Sequence, residues 1–104
     1  MYRGLTVIAI LPVFNEAAKI GEVVRRIPRE IVDEMLVVDD GSTDDSAQQA
    51  RSSGAQVISM GATLGVGAAL QTGYEYAVQR GYEVTVTVAG AVAVGSLVAE
   101  KADQ

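Results

Sequence analysis

With neither His nor Cys among its 104 residues, this chain lacks the usual general base and the commonest metal ligand, so acid–base or metal chemistry falls to Asp and Glu. The most suggestive acids lie in the stretch Met35 to Asp45, MLVVDDGSTDD. An apolar, β-branched run there stops at Asp39 and Asp40, and Gly41 permits a sharp turn. Ser42 is placed to cap a following helix that has Asp45 in its first turn. Two carboxylates thus stand at the C-terminal end of a buried strand, where open α/β sheets bind ligands. The same pattern also suits Asp39, Asp40 and Asp44 as plain turn and cap residues, and this stretch alone leaves both readings open.

A second group follows the first apolar run: Pro12, Val13, Phe14, Asn15 and Glu16. If the two runs are neighbouring strands, both groups frame one crevice. The face of Phe14 can cover a flat base, and carboxylates such as Glu16 and Asp40 can accept from a base N–H or from sugar hydroxyls. A nucleoside is the natural occupant of such a crevice.

Stepping along the chain, the run Leu5 to Leu11 reads as a central strand closed by Pro12. Asn15 reads as a cap, and Ala17, Ile20, Val23, Val24 and Ile27 recur at helical spacing up to Pro28. Arg25, Arg26 and Arg29 lie at the C-terminal end of that helix, where cations suit its dipole, and they receive no chemical role. After the strand at 35–38 come a helix over 44–53 ended by Gly54, a strand at 56–60, and a glycine-rich connection, Gly61 to Gly67. A helix over 66–80 and a strand at 83–88 follow. The alternation defines an α/β, Rossmann-like three-layer sandwich with a mostly parallel sheet and right-handed crossovers. The cluster Gly65-Val66-Gly67-Ala68-Ala69-Leu70 begins like a dinucleotide fingerprint but ends in Leu and follows the third strand, so it fails as one. Gly65, Gly67 and Gly73 then serve either tight helix–sheet packing or close approach to a ligand.

The length suits one domain, and 49% hydrophobic residues with a net charge of −5 describe a globular α/β chain with no bulk attraction for nucleic acid. No signal peptide or spanning helix is evident, so a cytoplasmic location is expected.

The segments PVFNE, VVDDGSTDDS and LGVGAALQTGYEYAVQRGY, in this order and spacing, resemble the N-terminal, nucleotide-binding half of family 2 glycosyltransferases with the GT-A fold, in the polyprenyl-phosphate or dolichol-phosphate sugar transferase branch. The resemblance covers about residues 5 to 90. It implies a UDP- or GDP-sugar as partner, with Pro12, Phe14 and Glu16 lining the nucleotide pocket and Asp40, or alternatively Asp39, contacting the base. It also implies Mg²⁺ or Mn²⁺ in the full-length family, held by an Asp-x-Asp motif after the fourth strand. Here that place reads Val88-Ala89-Gly90-Ala91-Val92, and Ala offers a hard cation no oxygen ligand. Neither a metal ligand nor a catalytic residue is therefore assigned in this chain. Residues 1–90 are expected to form a nucleotide-sugar-binding half domain, followed by an atypical tail over 91–104. The chain is read as truncated or altered at its C-terminus and without turnover of its own, and an apolar edge or face is expected to favour a homodimer. Two other classes compete: a non-catalytic nucleotide-binding or interaction module, and, less well, a response-regulator receiver, which would need an Asp ending the third strand.

Overall fold

A computed structural model of the chain describes residues 1–88 and 96–99. Strand β1 (Val7–Val13) pairs in parallel with β2 (Glu34–Asp39) on one side and with β4 (Val84–Thr87) on the other, and β2 pairs in parallel with β3 (Gln56–Ser59). Helices α1 (Ile20–Arg26), α2 (Ser46–Ser52) and α3 (Val66–Gln79) make the three crossovers. A fifth strand, β5 (Ser96–Ala99), adds antiparallel to β4, giving the order β3-β2-β1-β4-β5.

Alternation along β1 and β2 builds the layers, because successive side chains of a strand leave opposite faces. Val7, Ala9, Leu11 and Val13 join Met35 and Val37 in a cluster with Ile20 and Val24 of α1 and Ala50 of α2. Ile8 and Ile10 join Leu36 and Val38 on the other face, against Ala69 and Ala77 of α3. β1 is therefore apolar at every position and β2 at Met35 to Val38, as the continuous runs in the sequence require. Ile8, Ile10, Leu11 and Leu36 are among the fully buried side chains, each worth about 1.5–3 kcal/mol of transfer free energy. Gly73 explains how α3 comes so close to the sheet: a Cβ there would stand 2.5 Å from Cγ2 of Ile10. Gly65 and Gly67 face open space and do not serve that packing.

The architecture is the expected three-layer α/β sandwich, with two local corrections. Pro12 does not close β1, which runs on to Val13. Val13 accepts from the Asp40 amide on the β2 side and Ile10 accepts from the Val88 amide on the β4 side, so Pro12 faces β4. The β1–β4 register ends at Ile10 and Thr87, so the missing N–H of proline costs no bond of that ladder. Asn15 does not cap α1, which begins at Ile20 behind Lys19. Strand β5 lies within the segment read as the tail, to which neither strand nor helix was assigned, and it pairs along β4. Ala89 to Ala91, the boundary at residue 90, Glu100 and Asp103 lie outside the described residues.

Candidate functional site

The C-terminal ends of β1, β2 and β3 meet at Asp39 and Asp40. The Asp40 amide donates to the Val13 carbonyl (2.8 Å), and the Asp39 carbonyl accepts from the Met60 amide (2.9 Å), so this turn is fastened to the ends of both neighbouring strands. Gly41 makes the turn, with φ +74°. Side-chain substitution there is blocked twice, by the left-handed backbone and by the approach of the next loop: a Cβ would lie 2.6 Å from Ala62 C and Thr63 N.

Both carboxylates are 6% exposed, and each is held by amides. Asp40 accepts from the Leu64 amide at Oδ1 (2.7 Å) and from the Gly65 amide at Oδ2 (3.0 Å). These amides lead into the N-terminus of α3, whose dipole favours a negative charge, which is how a carboxylate is tolerated with so little water. Asp39 accepts from the Ser42 amide at Oδ1 (3.1 Å), and among the described residues its Oδ2 takes no protein hydrogen bond. The two acids, alike in sequence, thus differ in what they leave available.

The loop after β1 is stitched to the loop after β2. The Asn15 amide donates to Ser42 Oγ (2.9 Å), while Asn15 Oδ1 accepts from the Thr43 amide (2.9 Å) and hydroxyl (3.3 Å). The Glu16 amide donates to Ser46 Oγ (2.8 Å) and the Ala17 amide to Asp44 Oδ2 (3.2 Å). Asp44 Oδ1 also accepts from the Ser46 amide and hydroxyl. This donor set, led by the Ser46 hydroxyl, holds the Asp44 carboxyl below its ordinary range. Phe14, between Val13 and Asn15, is 48% exposed, although the residues on either side of it are tied to the β2 turn.

Phe14, Asp39 and Asp40 therefore come together at one sheet edge, as the sequence implied. Pro12 and Glu16 are half-buried and share the wall of a small recess with Val13, Lys19 and Val88 on the α1 side of β1. Ser42 was expected to cap α2; instead it receives the Asn15 amide, and α2 starts four residues later. Sequence reasoning missed Asn15 as a loop organiser, although its φ of +52° is one that Asn tolerates better than most residues. It also missed Leu64 and Gly65 as partners of Asp40, because a backbone amide leaves no trace in residue type.

Among the described residues no three Asp or Glu side chains converge on a point that could hold a cation. Asp40 has spent both oxygens on amides, so the acids present do not fit a divalent ion. A cavity of about 410 Å³ adjoins the recess beside Pro12 and Glu16 through Lys19, Val23 and Val88, between α1, the segment Pro28 to Val32 and the β1 and β4 faces, lined also by Ala9, Ile27 and Val86.

A parallel β3-β2-β1-β4 core with two acids at the end of β2 defines an α/β domain of the GT-A fold. Residues 8–87 match Glycosyl transferase family 2, and the chain belongs to that family. It is 42% identical over 64 residues to glucosyl-3-phosphoglycerate synthase of Mycolicibacterium smegmatis, an alignment that takes in 59% of this chain and 21% of that enzyme. Its structure is similar to that of mannosyl-3-phosphoglycerate synthase from Rubrobacter xylanophilus, with TM-score 0.71, 30% identity and coverage of 85% of this chain and 31% of the other. Glucosyl-3-phosphoglycerate synthase from Mycobacterium tuberculosis, in complex with Mn²⁺, UDP-glucose and phosphoglyceric acid, superimposes with TM-score 0.68 at 33% identity, covering 83% of this chain and 33% of that one. The chain thus spans about a fifth to a third of the length of these relatives. The polyprenyl-phosphate branch is not among them, and the resemblance holds at the level of the family.

Proposed function

We propose that this chain forms the donor-nucleotide half of a sugar-transfer site. The base of a UDP- or GDP-sugar lies against Phe14, and the Asp39–Asp40 pair faces its N–H edge, with Oδ2 of Asp39 as the open acceptor. Pro12 and Glu16 bound the pocket on the α1 side. The observation that carries this reading is the exposed Phe14, whose neighbours Val13 and Asn15 are tied to the turn that bears two buried carboxylates, an aromatic face and an acceptor edge suited to a nucleobase. The complex of the Mycobacterium tuberculosis relative with UDP-glucose favours uridine over guanosine as the nucleoside.

The same relative binds phosphoglyceric acid, which favours a small phosphorylated acid as acceptor of the complete enzyme in place of a polyprenyl phosphate. The residues described here do not fit the Mn²⁺ found in that complex, and no step of transfer is routed through a metal. A second reading, a nucleotide-binding module without transfer, is favoured by the lack of a carboxylate cluster among the described residues. None of their helices is long and apolar enough to cross a membrane, and a cytoplasmic site of action is proposed with the nucleotide-sugar donor.

Titration of the protein with UDP and GDP, followed by backbone amide NMR, tests the reading. Shifts centred on Phe14, Glu16, Asp39 and Asp40 are expected. Shifts confined to the α1–β4 cavity, or none at millimolar nucleotide, would overturn it.

A further inference from the structure

The backbone from Val13 to Ala17 is tied step by step to the loop after β2. The Val13 carbonyl accepts from the Asp40 amide, and the Asn15, Glu16 and Ala17 amides donate to Ser42, Ser46 and Asp44. Among the described residues Phe14 joins neither apolar cluster, so core packing does not set the place of its ring, which follows from the backbone on either side. Asn15 supplies most of that hold. Its amide donates to Ser42 Oγ and its Oδ1 accepts from the Thr43 amide and hydroxyl, and its φ of +52° is one that few residues other than Gly adopt readily.

We propose that Asn15 is a positioning residue for the nucleobase: it spans from the β1 loop to the β2 turn and so fixes Phe14 as a stacking face, without touching the ligand itself. The inference rests on the nucleotide reading above and adds to it the residue that sets the ring. A face held in place before binding loses less freedom when a base stacks on it, which strengthens binding without a new contact. Two features of Asn15 are needed together. Its carboxamide oxygen takes both donors of Thr43, and its backbone enters the left-handed region, open chiefly to Gly, Asn and Asp. An Asp side chain keeps both features, whereas Gly keeps the backbone and gives up the oxygen.

Amide hydrogen exchange, with affinity for UDP and for uridine, tests the proposal on wild type, Asn15→Gly, Asn15→Asp, Phe14→Ala and Asn15→Gly combined with Phe14→Ala. In Asn15→Gly exchange at Thr43 should rise about tenfold while the β1 amides keep their protection, and UDP should bind about fivefold more weakly. Asn15→Asp should restore the Thr43 protection and the uridine affinity, uridine lacking the diphosphate that the added charge would repel. In the Phe14→Ala background Asn15→Gly should change UDP affinity by less than about twofold, because the face it positions is gone. A fivefold loss that persists in that background makes Asn15 a direct contact and overturns the proposal. Unchanged Thr43 exchange in Asn15→Gly, full UDP affinity with Thr43 released, or no recovery in Asn15→Asp overturns it as well. Failure of the nucleotide reading looks different: wild type then binds neither UDP nor GDP, or Phe14→Ala binds UDP as wild type does, and the positioning role falls with it. If Asn15→Gly loses β1 protection, Ser42→Ala, which removes the acceptor of the Asn15 amide, decides in its place, alone and combined with Phe14→Ala.

Discussion

Phe14 is the residue at which the nucleotide reading is most exposed to test, because it is a large apolar side chain that the fold leaves half in water without using it for packing. If it stacks on the base, Phe14→Ala should cost about 1–3 kcal/mol of UDP affinity and leave the unfolding midpoint nearly unchanged, as calorimetric titration and urea melts will show. Asp44 makes a different prediction. Its folded carboxyl is more acidic than its ordinary 3.8, chiefly because it accepts from the Ser46 hydroxyl, so its contribution is fully present above that value and is lost as pH falls through the depressed one. Urea midpoints between pH 6 and pH 2.5 should therefore drop at the acid end, and Asp44→Asn should reduce the slope there. At this scale the sequence was half legible. The strand-end placement of Asp39 and Asp40 follows from an apolar run meeting a turn, but which acid keeps a free oxygen depends on Leu64 and Gly65, some 25 residues away.

At the scale of elements, strands were read well and helix starts poorly. β1 and the stretch Met35 to Val38 of β2 are continuously apolar and admit one interpretation, whereas Asn15 and Ser42 carry the same side-chain groups whether they cap a helix or lace two loops together. Tertiary partners decided, and α1 gave up its first turn. The packing of α3 yields a sharp test at Gly73, where a Cβ would meet Ile10 at 2.5 Å. Gly73→Val should destabilise by about 1–3 kcal/mol through overpacking, read from urea unfolding, with Gly67→Ala as the harmless comparison because nothing lies within 4 Å of its Cβ. The far end of the same helix holds Glu34, which accepts from the hydroxyls of Tyr76 and Tyr82, both at 2.5 Å. Burial and then the Glu34 hydrogen bond raise both phenols above their ordinary 10.0, so the stability they add is intact below that pH and falls as pH climbs beyond it. Tyr82→Phe should blunt that alkaline loss in thermal melts.

For the whole molecule, the sheet order places the acid pair at one end and the apolar cavity beneath α1, next to the recess of Pro12 and Glu16. Lys19, Glu22 and Arg26 contribute to the lining of a cavity that is otherwise apolar, which is the surface a second copy would cover now that β5 occupies the β4 edge. If a second copy covers this face, sedimentation at high concentration should show dimer, and Val23→Asp should return monomer. The parallel strands and their helical crossovers were legible from the alternation of runs, while β5 was not, because small residues without periodicity carry no signal until a neighbouring strand orders them. Transfer makes the largest demand, since it needs a base on the acceptor and stabilisation of the leaving diphosphate in one closed site. In these 104 residues His is absent, the place after β4 where the resemblance leads one to expect metal ligands reads Ala89-Gly90-Ala91, and among the described residues no three acids converge on one point. A positioned base alone is worth roughly a hundredfold or more in rate, and one preorganised electrostatic contact about 3 kcal/mol. UDP should therefore bind with little response to Mg²⁺ or Mn²⁺, and radiolabelled UDP-glucose offered with phosphoglyceric acid or polyprenyl phosphate should yield background only. Turnover that Asp39→Asn abolishes would show instead that the crevice is a complete active site.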